Sequence, residues 1–249
     1  MPHDSLNESV MNYSTVSPGT FFQSNSPVMV EVLADTPLEF LVLDRQHASP
    51  SLDTIENILR AAELHSIPII VRLASHRSEH VNHFLDAGAS GLMIPQVEGE
   101  EHVTTVLDRA RYARGRSLAL GTRAGKFGTR NRDEYVEWVD HELQIIPQIE
   151  TKAGVDSIEE IVQMDEVESV FVGPGDLGFS LGVSAESEEL RQAIFHVLDT
   201  AQEAGCGAGV WAPSPDVLED YEGAASFVTW SSDLGVVASG FREGLENDS

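Results

Sequence analysis

The sequence predicts an α/β protein, a single-domain (β/α)8 TIM barrel, on three observations. Short β-branched or apolar runs alternate with longer segments of helical period, the pattern of a parallel sheet with crossover helices. That alternation can be counted eight times in 249 residues, which is the size of one such barrel. No linker or internal repeat divides the chain. A doubly wound open sheet is the rival arrangement. The candidate strands are 20–23, 40–43, 69–73, 91–94, 145–149, 169–172, 208–210 and 227–230. Helical periodicity fills 27–34, 51–66, 78–87, 99–113, 132–143, 153–164, 187–204, 215–222 and 233–246. Residues 1–17 read as a polar extension, with the barrel running from 18 to 246. The segment 114–143, irregular before its helix near 132–143, reads as a long excursion beside the barrel mouth and concentrates scarce basic charge in Arg114, Arg116, Arg123, Lys126, Arg130 and Arg132.

Forty-one acidic residues against fifteen basic ones give a net charge of −26, and only Lys126 and Lys152 are lysines. Such a surface repels nucleic acid and anionic lipid, so neither is expected as a partner. Disorder is opposed by the 41% hydrophobic content. Adaptation to concentrated salt remains, since a Debye length of about 3 Å at molar ionic strength removes most self-repulsion. One cysteine, Cys206, excludes an internal disulfide or a multi-cysteine metal cluster. With no membrane-length apolar run and no secretory leader pattern, a soluble cytoplasmic protein is expected.

In a barrel, chemistry gathers where strands end, because the following loops converge over one mouth. Asp44 follows the second strand, with His47 three residues on, and Arg72 lies near the end of IIVRL. Gln148 and Glu150 close the fifth strand, and Gly173, Pro174, Gly175 and Asp176 follow the sixth. A carboxylate at a strand end is often only the cap of the next helix, a reading open to Asp44 and Asp176. Glu150 resists it, because Thr151 would cap better and a glutamate ending an apolar strand must be paired. Glu150 and Asp176 offer hard oxygen donors, which suits Mg2+ or Mn2+ better than zinc, and Co2+ is not separated from them. Two protein carboxylates leave positions for water and for a chelating 2-oxo acid.

Three other motifs are set aside. His76, His80 and His83 have helical spacing suited to zinc but no glutamate partner, and read as surface histidines. Gly173, Gly175 and Gly178 form G-x-G-x-x-G behind a strand, but FSLGVSAES follows where the dinucleotide fingerprint's helix would begin, and Asp176 would face the pyrophosphate. Schiff-base chemistry lacks a lysine at a strand end, so a metal must polarise any carbonyl.

The runs LVLDRQH (41–47), PIIVRL (68–73), FLDAGASGLMIPQV (84–97), PQIET (147–151) and VFVGPGDLGFSLG (170–182) resemble, in order and in register, the HpcH/HpaI family of class II pyruvate-dependent aldolases. The resemblance spans about 19 to 241. It implies a barrel that cleaves a 2-oxo-4-hydroxy acid, such as a 2-keto-3-deoxy sugar acid or related diacid, into pyruvate and an aldehyde, and a homo-oligomer, usually a hexamer. By position it implies Glu150 and Asp176 as metal carboxylates, Asp44 as a supporting group and Arg72 as the arginine beside the pyruvate keto oxygen. It further implies His47 with Asp86 as a base dyad, Gln148 as a polar neighbour, and the Gly175 and Asp176 amides as holders of the pyruvate carboxylate. Two departures stand out: Gln46 replaces a glutamate of the family's D-x-E-H, and the family's R-Y-P-P-x-G-x-R-G is RYARGRSLALGTRAGKFG here, from Arg111. An acyl-CoA lyase of the wider pyruvate/phosphoenolpyruvate barrel group and a non-catalytic binding barrel are the competing functional readings.

Overall fold

The computed structural model describes residues 16–246 apart from 215, 216, 218 and 222. Eight strands pair in chain order and close on themselves: β1 Ser17–Phe22, β2 Phe40–Asp44, β3 Ile69–Arg72, β4 Gly91–Ile94, β5 Gln144–Ile149, β6 Ser169–Val172, β7 Gly207–Ala212 and β8 Phe227–Ser232. Every pairing is parallel, and β8 returns to β1 with Ser17 opposite Phe227, which excludes the open sheet. Around the barrel lie α1 Pro27–Ala34, α2 Leu52–His65, α3 Val81–Asp86, α4 Glu100–Ala110, α5 Arg132–His141, α6 Lys152–Asp156, α7 Ile158–Ile161, α8 Pro174–Leu181, α9 Glu188–Glu203 and α10 Asp233–Glu246.

Two apolar layers hold this arrangement. A large one fills the space between strands and helices, where Leu41, Leu43, Ile69, Val71, Leu92 and Val170 point outward against helix residues such as Ile55, Ile58 and Val106. The other fills the barrel itself with Phe21, Phe40, Val42, Ile70, Met93, Ile146, Phe171 and Phe227. The two sets alternate along each strand, as a pleated strand with both faces buried requires. Aromatic rings need room inside a closed barrel, and glycine supplies it: a Cβ on Gly19 would overlap Phe40, and one on Gly209 would overlap Phe227.

Several expected boundaries change. Strands begin earlier, at Ser17, Gln144 and Gly207, because backbone pairing extends past the β-branched core of each run. The helix expected over 153–164 breaks into α6 and α7 at Ser157, whose hydroxyl donates to the Glu98 carbonyl at 3.0 Å. The helix expected over 99–113 stops at Ala110, before a 3-10 turn over Tyr112–Arg114. A helix that the sequence reading denied, α8, begins directly behind β6 with Pro174 in its first turn and runs through Gly178. The basic excursion is also relocated: it joins the end of a helix to β5, and Ala124 N–H donates to the carbonyl of Asp86, so it lies at the strands' N-terminal end, away from the mouth. Four residues of the helix expected over 215–222, namely 215, 216, 218 and 222, and most of the 1–17 extension fall outside the described residues.

Candidate active site

Strand alternation delivers the polar side chains. Ile70 and Ile146 point into the barrel, so Arg72 and Gln148, two residues further on, point inward one layer higher, at the mouth. Both are buried, as are Asp44 and Glu150. A cavity of ≈ 440 Å³ opens there, lined by His47, Arg72, Gln148, Glu150, Gly175 and Asp176, with Phe21, Phe171 and Trp211 as its apolar wall. The capping alternatives fail for the carboxylates: Ser51 caps α2 and Thr151 caps α6, while Gly173 holds the cap position of α8 and Asp176 lies inside its first turn.

Asp44 is fully enclosed and makes the strongest pair of the site. Its two oxygens take Arg72 Nε at 3.1 Å and Nη2 at 2.8 Å. They also accept the Gln46 and His47 amides and Gln23 Nε2. Burial alone would raise this carboxyl, but the hydrogen bonds and charge of Arg72, with Gln23 and the His47 amide, hold it below the usual carboxylate range. Arg72 is thereby fixed by Asp44, through Nε and Nη2, and by the face of Phe21, 4.4 Å from its guanidinium carbon, while it lines the cavity.

Glu150 behaves oppositely. Burial, with Asp176's negative charge added, pushes its carboxyl up to about 7 despite the Gln96 amide, Arg72 and a hydrogen bond from Gln46. Oε1 accepts the Gln96 N–H at 2.8 Å, and Oε2 accepts Gln148 Nε2. Gln148 Oε1 is buried with no partner among the described residues. Gly173 is required beneath this pair, since a Cβ there would stand 2.8 Å from Glu150 Oε2 and 2.9 Å from Gln148 Nε2. Gln96 holds a left-handed φ of 52°, a conformation costing a non-glycine residue about 1–3 kcal/mol, and it aims its amide at the carboxylate.

These residues fit a divalent cation. Two carboxylates repel one another beside an unpartnered amide oxygen, and a cation would relieve both conditions. Among the described residues no cluster of three His, Cys, Asp or Glu side chains forms a complete protein cage, so water and substrate would supply the remaining donors.

One sequence expectation is corrected. Asp86 ends α3 at the opposite end of the barrel from His47, and its carboxylate pairs with Arg116 at 2.6 Å, so the base dyad is not formed within the chain. His47 is an exposed side chain on the cavity rim. The motifs set aside stay aside. His83 stands 3.7 Å from Glu56, His80 occupies the start of α3, and His76 stacks on His102, so the three histidines do not converge. Lys152 pairs with Asp156 on the surface.

Sequence reasoning missed Gln23, the Gln96 amide and Asp233. Asp233 is buried and accepts the amides of Gln23, Ser24 and Leu234, which ties the loop after β1 to the start of α10. An acid opening a helix reads as an ordinary cap, so nothing in the sequence marked this longer reach.

Comparison with known proteins agrees with this geometry. The HpcH/HpaI aldolase/citrate lyase profile matches residues 18–240. A 5-keto-4-deoxy-D-glucarate aldolase of Klebsiella pneumoniae is 32% identical over 219 residues, 86% of this chain and 85% of that protein. The enzyme of the same name from Salmonella arizonae is 32% identical over 223 residues, 88% of this chain and 86% of that protein. A solved HpcH/HpaI aldolase/citrate lyase family protein from Burkholderia cenocepacia superposes with a TM-score of 0.90 at 28% identity, covering 98% of both chains. With its closed barrel, its paired carboxylates at the mouth and a profile match over nearly its whole length, the chain belongs to the HpcH/HpaI aldolase/citrate lyase family.

Proposed function

We propose that this chain, a carbon–carbon lyase by family, carries out metal-dependent, reversible retro-aldol cleavage of a 2-oxo-4-hydroxy acid to pyruvate and an aldehyde. The observation that carries the reading is the buried Glu150 carboxyl, raised to about 7 beside Asp176 in the cavity that also holds Arg72. The relatives' name favours a 2-keto-3-deoxy sugar acid or a related diacid as substrate. A divalent ion, Mg2+ or Mn2+ with Co2+ as a further candidate, would be held by Glu150 and Asp176 and, when bound, supplies the Lewis acidity that polarises a keto group.

The chain's own groups divide the remaining work. Arg72, immobilised by Asp44, presents its guanidinium to the keto oxygen and stabilises the negative charge that grows there as the C3–C4 bond breaks. The Gly175 and Asp176 amides, in the first turn of α8, take the substrate carboxylate at the positive end of a helix. Gln148 orients Glu150, and Gln46 neutralises part of its demand for hydrogen bonds without adding the charge that a glutamate would. His47 receives the C4 hydroxyl proton, directly or through water. Phe21, Phe171 and Trp211 keep the reacting carbons out of bulk water. Within one chain Asp86 pairs with Arg116 and does not reach His47, so this scheme does not use it.

The decisive experiment measures pyruvate release from a panel of 2-keto-3-deoxy sugar acids in molar salt. EDTA should abolish it and Mg2+ or Mn2+ restore it. Cleavage indifferent to chelator defeats the metal reading, turnover of a CoA ester would favour the acyl-CoA lyase, and absence of Mn2+ affinity would favour a non-catalytic barrel.

A further inference from the structure

The loop between β4 and α4 presents the Gln96 amide to Glu150, and Gln96 is held there in a left-handed conformation. Its carbonyl, on the other side of the same Cα, meets His102 Nδ1 at 3.2 Å, and that nitrogen is also 3.3 Å from the Glu98 amide. With the proton on Nδ1 the ring donates to Gln96, and with the proton on Nε2 it accepts from Glu98, so either tautomer ties the ring to this turn. The ring is itself immobilised. His76, from the loop after β3, stacks on it with centroids 3.8 Å apart and planes 11° from parallel. Arg77 Nε donates to His76 Nε2 at 3.2 Å, which requires a lone pair there and therefore a neutral His76. Burial, with His102 and Arg77 adding to it, lowers the basicity of His76 in the same sense. Glu101 Oε1 lies 3.9 Å from His102 Nε2 on the exposed side.

We propose that His102, buttressed by the stacked His76, is a positioning residue that clamps the strained Gln96 turn and so fixes the Glu150 carboxylate for its cation. This deepens the proposed activity and rests on it for the cation, while the clamp itself does not depend on the metal. It also gives a role to a histidine that the helical-spacing motif presented as a zinc candidate.

The test uses the full chain in molar salt with three variants, His102→Ala, His102→Asn and Glu150→Gln. Two readouts apply: Mn2+ affinity by calorimetry, and hydrogen exchange by mass spectrometry of the peptide containing Gln96 to Glu98 in metal-free protein. His102→Ala should weaken Mn2+ binding about tenfold, and His102→Asn, which returns a hydrogen-bonding nitrogen near the Nδ1 position, should recover most of it. Exchange should accelerate in that peptide alone for His102→Ala, and also for Glu150→Gln, which removes the charged acceptor. If wild-type protein binds no Mn2+, the aldolase reading fails, and exchange confined to that peptide still supports the clamp. Unchanged exchange there in His102→Ala overturns it, as does loosening spread over the whole chain that asparagine does not repair.

Discussion

Glu150 sits where water cannot stabilise its charge, with Asp176 facing the same cavity, and its carboxyl rises from an ordinary 4.5 to about 7. The folded protein then holds this proton more tightly than the unfolded chain does. Glu150's contribution to stability is therefore fully present below about pH 4.5 and is lost as pH climbs through 7, a change of about 3 kcal/mol. Metal-free Glu150→Gln should lack that decline, so calorimetric scans at pH 5 and pH 8 should separate wild type from variant, and parallel pH dependences would refute the assignment. Binding Mn2+ at pH 7 should release protons, because the cation favours the ionised form. Gly173 offers a steric test of the same group. Gly173→Ala should weaken Mn2+ binding and turnover at least about tenfold, since the new methyl meets Glu150 Oε2, whereas Gly175→Ala, with open space at its Cβ, keeps its amide and most of the activity. At this scale strand period and strand ends made Arg72, Gln148, Glu150 and Asp176 legible in the sequence. The role of Asp86 came from resemblance, while its position at a helix C-terminus puts it, within one chain, at the far end of the barrel from His47. The strand-end position of Gln96 was readable, but its left-handed conformation and the aim of its amide were not, since a left-handed non-glycine residue has no composition signal.

Among the elements, the loop after β1 shows how distant segments complete the mouth. Asp233, the first residue of α10, accepts the Gln23 and Ser24 amides at 2.8 and 3.0 Å, and Gln23 in turn donates to Asp44. Removing that carboxylate strands buried N–H groups and frees the support of Asp44 and Arg72. Asp233→Ala should therefore cost about 2–4 kcal/mol in urea unfolding. It should lower kcat more than it weakens Mn2+ binding, because the path leads to Arg72 and not to Glu150; an equal loss in both would contradict it. Most elements were readable because a buried parallel strand is a continuous apolar run and its helices keep a 3.6 period. The exceptions have local causes. In α8 the sequence PGDLGFSL carries two glycines and a proline, and the helix persists because Leu177 and Gly178 are buried against its neighbours. Gly154, whose Cβ would overlap the Val97 carbonyl, brings α6 close under the β4–α4 loop, and Ser157 then breaks the helix.

At the level of the whole molecule, one surface conflicts with an isolated barrel in water. Helix α10 leaves Leu234, Val237, Phe241 and Leu245 exposed at spacings of three and four residues, with Phe241 and Leu245 at 71% and 72%. That spacing aligns them as one stripe along the helix, an apolar surface of the kind that marks an association site. A net charge of −26 opposes association at low ionic strength, because like-charged copies repel over a Debye length of about 30 Å at 0.01 M salt but only about 3 Å at 1 M. The two features together predict a homo-oligomer assembled through α10 and dependent on salt. Sedimentation in molar KCl should show an assembly, consistent with the hexamer that the family resemblance implies, and dilution of the salt should dissociate it. The double variant Phe241→Asp, Leu245→Asp should remain monomeric in molar salt with its barrel folded, since neither side chain is buried in the chain's own core. An unchanged sedimentation coefficient for that variant would show that the stripe serves something other than self-association.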